Sequence, residues 1–199
     1  MAYPYLSAMP IRRLSSVAAA ALLFCTLGLG ASHAQGTVAD FSLQTANNST
    51  VTLKSYAGKK AVVVVFLNSA CAYSRLYQER LASLSNMFSG RGVQFLFVYV
   101  PINLDAPGGV APGLAYLPTL TDASQQVSSL LGVSKTTEAV VLQPGGDGFA
   151  VRYRGAIDDN PQVASGVQQP YLREVLENLV AGRPAGVADR RAAGCLIKR

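Results

Sequence analysis

The stretch Ala61–Ser74, AVVVVFLNSACAYS, decides how the rest of the chain is read. Val62-Val63-Val64-Val65-Phe66-Leu67 is an unbroken β-branched and apolar run. A segment apolar on both faces predicts a central buried strand, often a parallel one. The run breaks at Asn68-Ser69-Ala70 and meets Cys71. A helical pattern follows at once, with Tyr73, Tyr77, Leu81, Leu84 and Phe88 recurring at steps of four and three and Leu76 beside them. Cys71 is therefore expected where a strand hands over to a helix. Amides at a helix start lack partners and the dipole there is positive, so a thiolate is favoured. Arg75, one turn on, adds a cation on the same side. The structural alternative is a small buried hydrophobe, the usual state of a free cysteine.

The first 34 residues read as a secretory signal peptide. Arg12 and Arg13 precede an uncharged apolar run, Val17 to Gly30, and Ser32-His33-Ala34 offers a cleavage site before Gln35. The run is too short for a confident membrane span. The expected product is periplasmic or secreted, and Cys25 and His33 leave with the leader. Two cysteines then remain, Cys71 and Cys195, with no histidine for a general base, a metal site or a Ser-His-Asp triad. No metal and no cofactor is expected. Two cysteines in an oxidising compartment point to one disulfide.

About 165 residues suit one domain with a full core. The remaining basic residues are scattered, apart from pairs such as Lys59-Lys60 and Arg190-Arg191, so nucleic acid is not an expected partner. Val38–Leu43 and Thr50–Leu53 alternate around Ala46-Asn47-Asn48-Ser49 and predict a β-hairpin ahead of the main fold. Ser89-Gly90-Arg91-Gly92 stops the Cys71 helix, and Val93–Val100 is a second buried strand, which implies a right-handed parallel crossover. Pro101–Pro118 reads as a long surface loop, of a length that is often functional. Asp122-Ala123-Ser124-Gln125 resembles a capping box for a short helix carrying Val127, Leu130 and Leu131. Ala139–Leu142 and Phe149–Tyr153 read as an antiparallel pair. Pro170 opens a helix with Leu172, Val175, Leu176 and Leu179 on one face, stopped by Gly182 and Pro184. The tail, Ala185 to Arg199, has no periodicity.

This order, hairpin, βαβ, loop and helix, ββ, α, is that of an α/β thioredoxin-like domain (35–184) with an N-terminal hairpin extension and a tail (185–199) carrying Cys195. The chain resembles the redoxin, or AhpC/TSA-like, branch of that superfamily. The resemblance is carried by Asp40-Phe41-Ser42-Leu43, Val51-Thr52-Leu53 with Gly58-Lys59, Val65-Phe66-Leu67, Cys71 and Gly92-Val93-Gln94-Phe95. Tyr153-Arg154-Gly155-Ala156-Ile157-Asp158-Asp159 and Gly194-Cys195-Leu196-Ile197 are similar to segments of exported redoxin-domain proteins. The chain also departs from its relatives. The Pro and Thr that peroxiredoxins carry seven and three residues before the cysteine are Val64 and Asn68 here. The thioredoxin Cys-x-x-Cys is Cys71-Ala72-Tyr73-Ser74. The segment that usually holds a cis-proline is Thr136-Thr137-Glu138, and a cis bond before Thr137 would cost about 3 kcal/mol, so a trans bond is expected.

The resemblance implies a thiol-dependent oxidoreductase acting on a small peroxide or disulfide, recharged by an external thiol reductant. Cys71 is the expected nucleophile. Cys195 is the one candidate resolver, on a tail unpatterned enough to swing. The alternatives are a permanent Cys71–Cys195 staple, or no bridge, in a non-catalytic binding or assembly module. Supporting candidates each have a plainer reading. Arg154 could orient an anion or pair with Asp158 or Asp159. Tyr73 and Ser74 could wall the site or fill core. Thr137 faces the nucleophile, and Glu138 beside it could move a proton or merely start a strand.

Overall fold

A computed structural model describes residues 36–103, 117, 119–146 and 148–198. The expected signal peptide, with Cys25 and His33, lies outside the described residues, as does most of the Pro101–Pro118 loop. Eight strands make one mixed sheet: β1 (Thr37–Val38), β2 (Ser42–Thr45), β3 (Thr50–Thr52), β4 (Ala61–Leu67), β5 (Val93–Tyr99), β6 (Thr119–Thr121), β7 (Ala139–Gly145) and β8 (Gly148–Gly155). Their order across the sheet is β1-β8-β7-β4-β5-β6-β2-β3. Among the described residues three α-helices complete it, α1 (Ala72–Ser89), α2 (Gln126–Leu130) and α3 (Tyr171–Val180).

Strand β4 is apolar throughout because both its faces are covered. It runs parallel to β5, with Val65 opposite Phe97, and antiparallel to β7, with Val64 opposite Val140. Val63, Val65 and Leu67 pack with Tyr77, Leu81 and Phe88 of α1 and with Leu172, Val175, Leu176 and Leu179 of α3. Val62, Val64 and Phe66 pack on the opposite side with Phe41, Leu43, Leu53, Val127 and Leu131. Each fully buried Leu or Phe here contributes about 1.5–3 kcal/mol. The face expected for α3 is buried; of that expected for α1, Tyr77, Leu81 and Phe88 are buried, Tyr73 and Leu84 are partly buried, and Leu76 beside them is exposed. Among the described residues no helix is long and apolar enough to cross a membrane.

Three local expectations are corrected. The alternating segment Val38–Leu43 is two strands, not one. Thr37 and Val38 pair with β8, whereas Ser42–Thr45 forms the expected hairpin with β3 and joins it to the edge of the sheet through β6. Asp40 accepts the amide of Lys54 at 2.9 Å between these strands, an Asx contact that competes with a continuous ladder. The capping box is not reciprocal. Asp122 accepts the amides of Val127 (3.2 Å) and Ser128 (2.8 Å), and Gln125 turns left-handed at φ 57° to allow it. The resulting α2 is so short that Leu131 is buried while Leu130 points outward.

The third correction is the tail. It does not hang free but lies along the domain through main-chain bonds: Ala156 N to Arg190 O (3.0 Å), Thr136 N to Cys195 O (2.9 Å), Ile197 N to Ser134 O (3.0 Å) and Lys198 N to Pro101 O (3.0 Å). Two glycines permit this. A Cβ at Gly155, whose φ is 149°, would overlap the backbone of Arg190, and one at Gly194 would overlap the carbonyl of Thr136. Ile197 is buried in the second core cluster.

Candidate active site

The site begins where β4 ends. Asn68 is wholly buried and makes the turn. Its side-chain amide donates to Val100 O (3.0 Å), fastening the ends of β4 and β5 together, and its side-chain oxygen accepts the amide of Ala70 (2.8 Å). Its own amide donates to Ser74 Oγ (3.2 Å), and its carbonyl accepts the amide of Cys71 (3.0 Å). The turn delivers Cys71 as the N-cap of α1, at φ −82° and ψ 122°. No side chain caps this helix and no acidic residue lies in its first turn, so nothing there competes with a sulfur anion for the helix start.

Cys71 is fully buried, and its sulfur is joined to that of Cys195 in a disulfide with a Cα–Cα distance of 5.9 Å. Cys195 is partly exposed. The third member is Thr136, also fully buried. Its hydroxyl donates to Cys71 Sγ at 3.1 Å and accepts the amide of Cys195 at 2.9 Å, so one oxygen touches both halves of the bridge. Next to it, Thr137 adopts φ 59° after a trans peptide, with its amide on Phe66 O at 2.7 Å. Its hydroxyl sits between the carbonyls of Thr136 and Ala193. A β-branched residue in the left-handed region is strained by about 1–3 kcal/mol, and such strain persists only where neighbours over-determine the backbone.

The other candidates lie as follows. Arg75 is exposed and donates to Ser69 O at 2.7 Å, bracing the loop ahead of Cys71. Ser74 is buried and occupied by the amide of Asn68. Tyr73 is partly exposed on the first turn of α1. Glu138 accepts the amide of Ser134 (3.2 Å), while its carbonyl accepts the amide of Phe66 (3.4 Å). Arg154 is not paired with Asp158. Its amide donates to Asp189 (2.8 Å), and its guanidinium lies against Gly132 on the α2 side of the sheet. Asp158 belongs instead to Arg80 (2.7 Å) and to the hydroxyl of Tyr77 (2.7 Å), a triad with Asp158 and Tyr77 buried and Arg80 half-buried, which also holds Asn160 and Pro161 through Arg80. Burial and the Asp158 carboxylate push the Tyr77 phenol up, so it stays a donor.

Sequence reasoning named Cys71–Cys195 as a candidate disulfide, and the bridge is present, but it did not single out Asn68 and Thr136, which hold the two cysteines in place. Asn68 stood out only as a departure from a motif. A polar residue between a fully apolar strand and a helix-start cysteine was the available signal. Among the described residues no group of three His, Cys, Asp or Glu side chains is placed to hold a metal.

A parallel crossover whose helix opens on a capping cysteine, with the left-handed Thr137 loop beside it at the end of the neighbouring strand, is the arrangement of a thioredoxin-like fold. The AhpC/TSA family profile matches residues 35–165, and the chain belongs to that family. Among solved structures it is similar to a hypothetical protein from Sinorhizobium meliloti 1021, with a TM-score of 0.71 and 24% identity over 82% of this chain and 93% of that one. It is equally similar to an uncharacterized conserved protein from Geobacillus kaustophilus, with a TM-score of 0.71 and 24% identity over 83% and 91%. A putative thiol:disulfide interchange protein DsbE from Chlorobium tepidum matches with a TM-score of 0.50 and 19% identity over 76% and 97%. No curated protein matches the chain.

Proposed function

We propose that this protein is an exported thiol-dependent oxidoreductase of the redoxin type, in which Cys71 and Cys195 cycle between dithiol and disulfide. In the reducing half-reaction the Cys71 thiolate attacks a peroxide oxygen. The sulfur gains that oxygen as a sulfenic acid, and an alkoxide or hydroxide departs and takes a proton from water. The Cys195 thiol then attacks the sulfenic sulfur, closing the disulfide and expelling water. With a small disulfide the Cys71 thiolate attacks one sulfur and expels the other half as a thiolate, and Cys195 then attacks the Cys71 sulfur of the mixed disulfide and expels the second half as a thiolate. An external thiol restores both cysteines. Export rests on the leader-like first 34 residues and accords with a disulfide that must persist in an oxidising compartment.

The observation that carries this reading is the bridge itself: it joins the helix-start sulfur to a tail cysteine, with a hydroxyl donor on the helix-start side. One observation favours a second reading. Cys71 is wholly buried and the tail is pinned by main-chain bonds, as expected of a permanent staple in a non-catalytic module. The deciding experiment assays mature protein, with an excess of a small thiol, for loss of peroxide and of a low-molecular-weight disulfide. Wild type is compared with Cys71→Ser and Cys195→Ser. Wild type should exceed Cys71→Ser by at least about a hundredfold, in line with loss of a nucleophile. Equal rates would end the catalytic reading and leave the staple.

A further inference from the structure

A pocket of about 260 Å³ opens beside the tail, walled by Tyr77 of α1, Tyr171 of α3, the Asp158-Asp159 turn and the tail residues Arg190, Arg191 and Ala193. Its charges are unbalanced. Asp158 is committed to Arg80, to the Tyr77 hydroxyl and to the Asn160 amide. Asp159 accepts the Gln168 amide at 3.0 Å, and main-chain amides at Gln169 and Gln168 hold its carboxyl below the ordinary value. Asp189, next to Arg190 in the tail, accepts the Arg154 amide at 2.8 Å. Arg190 and Arg191 are both exposed, and among the described residues neither is in an ion pair. The carboxylates are spoken for and the guanidiniums are not. We infer that this pocket seats the carboxylate of a small anionic thiol, or of its disulfide, that exchanges with the Cys71–Cys195 bridge, with Arg190 as the anchor and Arg191 as a second cation. This rests on the redox reading above and names its substrate class.

Geometry supports the charge argument. Arg190 is preset on both sides: its amide donates to Arg154 O (3.3 Å), its carbonyl accepts the amide of Ala156 (3.0 Å), and its guanidinium lies 5.4 Å from the Tyr171 ring centroid. A guanidinium held in this way offers a planar fork to a carboxylate with little left to order. The pocket is also within reach of the bridge. Ala193 on its wall is two residues from Cys195, at most about 7 Å of chain. Tyr77 on the opposite wall is six residues along α1 from Cys71, a rise of about 9 Å. An extended tripeptide spans about 10 Å, so a thiol of that length anchored on Arg190 can touch the bridge. Ligand pockets that enclose a whole small molecule start at about 300 Å³, so this one suits a single carboxylated end group.

The test has two arms. Oxidised mature protein is titrated with S-methylglutathione, which carries carboxylates but no thiol, and followed by NMR. The expected result is saturable binding with shifts at Arg190 and Ala193. It should weaken about tenfold in Arg190→Gln/Arg191→Gln, and also in wild type when salt is raised from about 20 mM to about 500 mM. Absence of binding, or equal affinity in the double variant, overturns the inference. In the second arm, reduction of the bridge is timed with glutathione and with its diethyl ester, a thiol of the same length whose carboxylates are masked. The ratio of the two rates should be about tenfold higher in wild type than in the double variant, and Arg190→Lys, which keeps the charge, should lie between them. Intrinsic thiol reactivity cancels in this comparison. Equal ratios in wild type and the double variant overturn the inference and leave the redox reading standing. Reduction by neither thiol overturns the redox reading, while probe binding that the double variant loses would still establish the carboxylate site.

Discussion

Cutting the bridge should cost stability by an amount set largely by the length of chain it closes. Cys71 and Cys195 are 124 residues apart. The chain-entropy argument assigns a loop of that size a restriction of the unfolded state of about 16 cal/mol/K, or about 5 kcal/mol at 25 °C. Main-chain bonds and Ile197 still hold the tail after reduction, so little native-state packing is lost and nearly all the effect lies in the unfolded ensemble. For a domain of this size the difference corresponds to a fall in Tm of roughly 10–20 °C. Chemical unfolding of oxidised wild type, reduced wild type and Cys195→Ser measures it. The two thiol forms should agree with each other and lie about 5 kcal/mol below the oxidised protein. A gap under about 1 kcal/mol would refute the reasoning, because the bridge would then be absent in solution or its enthalpic strain would cancel the entropy. The number also bears on mechanism. Domains carry about 5–15 kcal/mol in total, so a protein that works through its reduced state must draw the remainder from the two apolar clusters.

Further outcomes follow from the same contacts. Gly194→Ala should destabilise the oxidised protein by about 1–3 kcal/mol and slow disulfide formation, as seen by denaturant titration and by free-thiol titration during reoxidation, because its Cβ overlaps the Thr136 carbonyl. Asp158→Ala should cost about 3–5 kcal/mol in unfolding experiments, since it strands the Arg80 guanidinium in a half-buried site, whereas Tyr77→Phe should cost only about 1–2 kcal/mol. Leu81→Ala, in the α1 contact with β4, should cost about 2–5 kcal/mol. Arg91 holds Glu177 below its ordinary value of 4.5. Its ionised form therefore stabilises the fold above that value, and the contribution is lost as the pH falls through the lower folded-state value. Glu177→Gln should flatten this acid limb slightly, and added salt should erase the difference, because the pair is well exposed.

The parts of the fold that periodicity could reveal are those built from side-chain burial. Val62–Leu67 is apolar because both faces are covered, and Tyr77, Leu81 and Phe88 repeat because one face of α1 meets the sheet. The docked tail was invisible to the same reasoning. It is held by main-chain bonds at Thr136, Ser134 and Pro101 and by the near-contact of two glycines with passing backbone, none of which leaves a hydrophobic pattern. The split of Val38–Leu43 was hidden because both halves keep the alternation while choosing different partner strands. At the site, a cysteine at a strand-to-helix junction was legible from one short stretch. The Thr136 hydroxyl was not, because it comes from 65 residues further along and meets the sulfur only once β7 lies beside β4.

Asn68 binds the turn that carries Cys71 to the ends of two central strands. The sulfur of Cys71 thus inherits the rigidity of the sheet, like a tool clamped in a vice. Whatever motion disulfide exchange requires must be supplied from the opposite jaw, so differences in partner preference among variants of this chain should map to the residues flanking Cys195 and leave the cysteine-bearing helix unchanged.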